Sequence, residues 1–152
     1  MVVSFDSLLK EIGQLLNVEL VPDRLNACRL KYPDGLFLQL EANREGTTLL
    51  LGTKIGALPP GRYRQDVLEQ ALKANTLDFH TGTFGYSKKN SELYLYAHLS
   101  TEHFTAKQIV DFISPFIEKA RHWIAPLAAN QIPPLDINAP TQKSSGMFGL
   151  AP

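Results

Sequence analysis

Four histidines are the residues of this chain best suited to metal binding or proton transfer: His80, His98, His103 and His122. None belongs to a HExxH motif or forms a close pair with cysteine, so metal-ligand spacing is absent. His98 and His103 flank a predicted strand-to-helix loop and could meet there. Without a motif, two partly exposed polar residues are the better interpretation. The sequence therefore predicts no metal site and no cofactor.

The other reactive groups are equally isolated. Cys28 lies on the apolar face of a predicted strand, where a buried, inert thiol is favoured over a nucleophile. Asp66 and Glu69 are three residues apart on a predicted helix, which is typical of a solvated face. The glycines and lysine of residues 52–56 lack the order of a phosphate-binding loop, and prolines follow where its helix should begin. We expect no catalytic residues and no enzyme.

Composition excludes several classes of protein. The chain has 152 residues, 44% of them hydrophobic, which suits one globular domain with a real core. Fifteen basic and fifteen acidic residues cancel, so no overall charge favours nucleic acid or an anionic membrane. A single cysteine and an N-terminus without a signal-peptide pattern indicate a reducing compartment, and we expect a cytoplasmic protein without membrane insertion.

Hydrophobic periodicity predicts helices at about 5–17, 62–75 and 106–128 and five strands between them. The order is α-β-β-β-α-β-β-α, an α+β fold with a twisted antiparallel five-stranded sheet and its end helices on one face. The stripe of the short middle helix then lacks a partner within the chain. We expect one domain over 1–129 and, because prolines, serines and glycine replace the periodic pattern, a flexible tail over 130–152.

Alternation in two strands separates leucines from aromatic residues. Phe37 lies opposite Leu36 and Leu38, and Tyr94 and Tyr96 lie opposite Leu93 and Leu95. If the end helices cover the leucines, the aromatics face the other way and form an interaction patch. Burial of these aromatics by a second copy or by the middle helix is the alternative.

Several segments in sequence order resemble the CesT-like (Tir chaperone) family of class I type III secretion chaperones. An apolar strand runs through a Gly-x-Leu-Pro turn over 49–59, and a short helix ends in Ala-Asn at 74–75. A Gly-Thr-Phe-Gly-Tyr strand follows at 82–86, and the last helix carries Phe112, Phe116 and Trp123. The resemblance covers about residues 4–128.

The resemblance implies a bacterial virulence-associated chaperone that binds a secreted effector in extended form and keeps it soluble and export-competent. It also implies a homodimer, or a heterodimer with a second chaperone, paired through the middle helix and an adjoining strand. The expected interface residues are Val67, Leu68, Ala71, Leu72, Phe84 and Tyr86, and the expected effector-binding residues are Phe37, Leu50, Tyr94 and Tyr96. A cytoplasmic adaptor or scaffold domain of similar topology is the alternative.

Overall fold

The protein is described from a computed structural model, which covers residues 4–78 and 80–135. The helices are α1 (Phe5–Leu16), α2 (Arg62–Leu77) and α3 (Ala106–Ala128). The strands are β1 (Ala27–Lys31), β2 (Phe37–Ala42), β3 (Thr48–Ala57), β4 (Thr83–Ser87) and β5 (Glu92–Ser100). The predicted order and fold class are confirmed, with boundaries that differ by about two residues, as is usual at frayed ends.

The five strands form one antiparallel sheet in the order β1-β2-β3-β5-β4. Tight turns connect β1 to β2, β2 to β3 and β4 to β5, while α2 carries the chain from β3 to β4. The long central pair is β3 with β5, which stays in register from Thr48–Ser100 to Lys54–Tyr94 before a bulge. This arrangement leaves β1 and β4 as the edge strands.

Helices α1 and α3 pack on one face of the sheet, which we call the covered face. Its strand residues recur at every second position and are at most 1% exposed: Leu38, Leu40, Leu49, Leu51, Leu93 and Leu95. Leu9 and Ile12 of α1 and Ile109 and Phe116 of α3 are fully buried against them. The opposite side of the same strands, which we call the open face, carries no helix of the described chain.

Side-chain caps fix where the two covering helices begin. The Ser4 hydroxyl accepts a hydrogen bond from the Ser7 N–H at the start of α1. At the start of α3, Thr105 and Gln108 form the reciprocal capping box that their spacing predicts. The caps set the register of both apolar stripes relative to the leucines of the sheet.

Candidate partner-binding site

A groove of about 600 Å³ runs across the open face. Its lining includes the four residues predicted to bind an effector, Phe37, Leu50, Tyr94 and Tyr96, which come from β2, β3 and β5. Phe37 is 44% exposed and Tyr96 is 36% exposed. The alternation predicted for these strands therefore places their aromatic side chains on the side of the sheet away from α1 and α3.

Strand pairing arranges the groove in three rows across the sheet. The glycine row contains Arg29, Gln39, Gly52 and Tyr96, which are successive partners in the ladder. The glutamate row, on one side, contains Glu41, Leu50 and His98. The lysine row, on the other side, contains Phe37, Lys54 and Tyr94 in the groove and ends at Lys31, which pairs with Phe37 just outside the lining. Neighbouring rows are about 7 Å apart along the strands.

Two glycines give the groove its shape. No atom beyond its chain neighbours lies within 4 Å of where a Cβ of Gly52 would stand, so the middle of the groove is open. The ring of Tyr96 lies over Gly85 instead, 3.0 Å from where that residue's Cβ would stand. Its edge-on contact with the His98 ring, at 5.9 Å between centroids, also orients it. Sequence reasoning missed Gly52, although glycine inside a strand signals a close approach of another group.

The β5 side of the lysine row is electrostatically satisfied. Lys54 forms an ion pair with Glu92 at 2.9 Å, and the Tyr94 hydroxyl donates a hydrogen bond to the other oxygen of that carboxylate. The Tyr94 hydrogen bond and then the Lys54 contact hold the pKa of Glu92 below its ordinary value. Glu92 is therefore ionised at neutral pH and matched by Lys54.

The β1 side differs because no carboxylate of the described residues is paired with its cations. Arg29 and Lys31 lie over the Phe37 ring, at 5.7 Å and 5.6 Å from its centroid. Among the described residues, no carboxylate forms an ion pair with either cation. The Thr53 hydroxyl donates a 2.7 Å hydrogen bond to the Phe37 carbonyl, which fixes the backbone beneath this cluster. Sequence reasoning assigned no role to Arg29 and Lys31.

The residues predicted for a dimer interface divide into two sets. Val67, Ala71 and Phe84 are at most 5% exposed and belong to the core of the chain itself. The Phe84 ring contacts Trp123 of α3 at 4.1 Å between centroids. The expectation that the α2 stripe lacks a partner within the chain is therefore wrong for its inner half, because β4 lies beneath it. Leu68 and Tyr86 are partly buried and Leu72 is 68% exposed, and an interface through these residues stays a prediction.

Two flanks of α2 are held by different segments. On one flank, Asn75 exchanges hydrogen bonds with the backbone N–H and carbonyl of Phe84, and Arg64 donates to the Tyr86 hydroxyl. These contacts join α2 to the edge strand β4. Leu72 projects outward beyond this flank.

The other flank of α2 holds the start of the predicted tail. The Tyr63 hydroxyl donates to the Gln131 carbonyl at 2.7 Å, and the Gln70 amide donates to the Pro133 carbonyl at 2.9 Å. Pro133 is buried. Residues 131–135 therefore contact α2 through two backbone carbonyls, and a flexible tail over 130–152 stays a prediction. Residues 136–152 lie outside the described part of the chain.

One buried lysine holds the loop between α2 and β4. The Lys119 ammonium of α3 donates to the carbonyls of Asp78 and Gly82 at 2.8 Å and 2.9 Å, and it lies 3.7 Å from the Asp78 carboxylate. Burial lowers the pKa of Lys119 below its ordinary value, although the Asp78 charge opposes the change. Lys119 thus ties α3 to the segment that leads into Phe84.

Two of the reactive side chains, Cys28 and His98, lie on opposite faces of the sheet. Cys28 is buried, and burial raises the pKa of its thiol, which favours the neutral form. His98 lies in the groove beside Tyr96. Within residues 4–78 and 80–135, no three side chains of histidine, cysteine, aspartate or glutamate are placed to hold a metal ion. None of the helices in this part of the chain has the length and apolar character needed to cross a membrane.

Solved structures share this fold. The chaperone–effector complex HopA1–SchA contains a chain that is 20% identical, with a TM-score of 0.66 over 80% of this chain and 93% of that one. The Yersinia pestis type III secretion chaperone SycH, solved with a fragment of YscM2, is 18% identical, with a TM-score of 0.63 over 79% and 99%. A chain of the heterodimeric ExoU–SpcU complex of the Pseudomonas aeruginosa type III secretion system is 18% identical, with a TM-score of 0.59 over 83% and 98%.

At these identities the structures establish the fold alone, and no curated protein matches the sequence itself. The family assignment comes from the sequence model of the Tir chaperone protein (CesT) family, which matches residues 7–124. That span begins within α1, includes the whole sheet and ends near the C-terminus of α3. The resemblance of the separate motifs is thereby confirmed, and the chain belongs to the Tir chaperone protein (CesT) family.

Proposed function

We propose that this type III secretion chaperone holds a segment of a secreted effector in the groove of its open face. The observation that carries the proposal is the uncovered set of Phe37, Leu50, Tyr94 and Tyr96 in one groove, on a sheet whose other face is fully packed. Large apolar side chains left together at a surface usually mark an interaction site.

The site suits reversible binding of a partner, which requires no catalytic group. A sheet face with alternating pockets can take the side chains of an extended segment, and the ordering cost of that segment limits the affinity. The aromatic side chains offer large contact areas, while Lys54 and Glu92 keep the rim polar. Such a surface would shield an effector from aggregation in the bacterial cytoplasm and still let it leave for export. HopA1–SchA, a structure of similar fold, is a chaperone–effector complex.

We also propose that two copies pair through the outer side of α2 and the adjoining strand β4, whose outward edge at Phe84 is already bonded to Asn75 of the same chain. Leu72 is exposed there, Leu68 and Tyr86 lie beside it, and β4 pairs with β5 alone among the described strands. A second chaperone could occupy the same surface. A dimer would present two grooves to one effector and raise the effective concentration of the second contact.

The test is capture of the effector from the native cell. The tagged chain is expressed in its own bacterium, and co-purifying proteins are identified by mass spectrometry. The double variant Tyr94→Ser/Tyr96→Ser is expected to lose most of the captured effector because it removes two aromatic walls of the groove. Its control is Leu77→Ser, which removes an exposed apolar side chain of α2 that does not line the groove.

Circular dichroism and sedimentation of both variants should match the wild type, since neither change touches the core. Equal capture by wild type and the double serine variant would refute the groove as the effector site. Loss of the dimer in the double variant would assign the aromatics to the subunit interface instead.

A further inference from the structure

The glycine row contains a notch that no side chain of residues 4–78 or 80–135 fills. Gly52 has open space above it, and its row neighbours Gln39 and Tyr96 stand on β2 and β5, the strands on either side. Those two strands are separated by about 10 Å, twice the spacing of adjacent strands. Because Tyr96 lies toward Gly85, this gap can admit one aliphatic side chain of a partner.

Charge varies along the groove from one row to the next. The lysine row carries Lys31 and Lys54, and Arg29 of the glycine row lies over the same Phe37 ring as Lys31. Lys54 is already paired with Glu92, whereas Arg29 and Lys31 have no carboxylate partner among the described residues. At the other end, Glu41 of the glutamate row accepts a long 3.5 Å hydrogen bond from Gln39. The groove is thus positive on one side of the notch and negative on the other.

We infer that the groove selects effector segments in which an acidic residue lies close to an aliphatic one. The aliphatic side chain would occupy the notch over Gly52, and the carboxylate would pair with Arg29 and Lys31 beside Phe37. Glu41 would repel the opposite orientation, so the charges would set the direction of the segment as well as its composition. This inference rests on the proposed function of the groove and specifies which effector segments it takes.

The observations favour a foreign acidic peptide over other occupants. Two cations around one aromatic ring, without an acidic partner among the described residues and with Glu41 nearby in the groove, do not make a surface for a polyanion, and the formal net charge of the chain is 0. The chain itself contains one competitor, the run Leu135-Asp136-Ile137 in which an acid lies between two aliphatic residues. Competition from this run is a separate outcome of the test.

The probe is a phage library of short random peptides, selected on the full-length chain and counter-selected on Gly52→Val. Valine at this position projects into the notch, and a Cβ at Gly52 would meet no described atom within 4 Å. We expect the selected peptides to carry aspartate or glutamate within a few residues of leucine, isoleucine or methionine. A selection that yields basic peptides, acid-free peptides or no peptide dependent on Gly52 would overturn the inference.

The charge arm uses one selected peptide and fluorescence anisotropy. The double variant Arg29→Glu/Lys31→Glu is expected to weaken its binding by roughly tenfold or more and to remove most of its salt dependence. The control double variant Lys10→Glu/Lys107→Glu makes the same change of net charge on α1 and α3, on the other side of the sheet, and should bind like the wild type. Equal losses in both double variants would show that overall charge, not these two cations, governs binding.

Two further arms separate the remaining outcomes. If Asp136→Lys in the full chain raises peptide affinity roughly tenfold, the chain's own segment occupies the groove, and a foreign segment as its primary occupant is refuted.

Capture of the native effector by Arg29→Glu/Lys31→Glu distinguishes the requirement for an acidic residue from the proposal that the groove binds the effector at all. Full capture by this variant, together with loss in the double serine variant, refutes the acidic requirement and leaves the effector groove standing. Full capture by both variants refutes the groove itself.

Discussion

The two faces of one sheet carry opposite properties in this protein. On the covered face, Leu93 and Leu95 of β5 are at most 1% exposed, while on the open face of the same strand Tyr96 is 36% exposed. Alternation along one strand thus places a residue that stabilises the fold next to a residue available to a partner. Stability and binding should therefore be separable by substitutions one position apart.

The largest expected effect tests that separation directly. Leu95→Ala removes a fully buried side chain that packs close to Gly82. The free energy of unfolding should therefore fall by about 2–5 kcal/mol. Tyr96→Ser, its neighbour on the open face, should change the free energy of unfolding by less than about 1 kcal/mol. Urea denaturation of both variants, followed by circular dichroism, measures the difference. Similar losses in the two variants would mean that the open face is part of the core.

Helix α2 also has a buried side and an exposed side. A substitution at Leu72 tests whether the exposed side forms the dimer interface. Leu72→Asp should convert a dimer to monomer, because an unpaired charge in an interface costs about 3 kcal/mol or more. Leu77→Asp is the matched control, since Leu77 is equally exposed on the same helix, at 69%, but lies toward a different side. Sedimentation velocity at several concentrations distinguishes the two. A dimer that survives Leu72→Asp, or dissociates equally with both variants, would place the interface elsewhere.

The sequence predicted the fold well because its signals are local. Apolar spacing, the Thr105–Gln108 capping box and the Pro33-Asp34-Gly35 turn each act within a few residues and agree with one another. The open-face position of Phe37, Tyr94 and Tyr96 followed from period-two alternation once two helices were assigned to the other face. Family membership followed from motifs that occur in the same order along the chain.

What the sequence did not predict depends on contacts between distant segments. The α2 stripe showed which residues avoid water, but not whether Val67 packs in its own chain or in another. The notch over Gly52 depends on where Tyr96 turns, which is decided by Gly85 on a neighbouring strand. Lys119 looked like one more polar residue of α3, and only the path of the α2–β4 loop supplies its two carbonyl partners.

Lys119 provides the third prediction, on the covered side of the molecule. Lys119→Met removes the donor to the buried Gly82 carbonyl and to the partly buried hydrogen bond at Asp78, which should lower the free energy of unfolding by about 2–3 kcal/mol. The control is Lys73→Met, which removes an exposed ion pair with Glu69 and should cost less than about 1 kcal/mol. Chemical denaturation at neutral pH compares them, and equal effects would show that Lys119 contributes no more than a surface charge.

The lowered pKa of Lys119 predicts that the stability of the folded protein depends on pH. Because the pKa of Lys119 is lower in the folded protein than the ordinary 10.5, the unfolded chain holds a proton that the folded chain has lost between the two values. The free energy of unfolding of the wild type should therefore rise with pH through that window relative to Lys119→Met. Subtracting the free energy of unfolding of the variant from that of the wild type cancels the contributions of the other titrating groups. A difference that stays flat or falls as pH approaches 10.5 would contradict a lowered pKa.

The smallest expected effect concerns the C-terminal segment, which divides into a packed part and a part without periodic apolar pattern. Residues 131–135 cover one flank of α2 through Tyr63 and Gln70, with Pro133 buried, whereas 136–152 are rich in small and polar residues. Deleting 136–152 should leave the melting temperature nearly unchanged. Deleting 131–152 also removes two hydrogen bonds and a buried proline, and should cost about 1 kcal/mol more, roughly 2–4 °C in a chain of this size. Differential scanning calorimetry of both truncations measures this. Equal melting temperatures would mean that the contacts at Tyr63 and Gln70 add no stability, and that this flank of α2 is as available to a partner as its outer side.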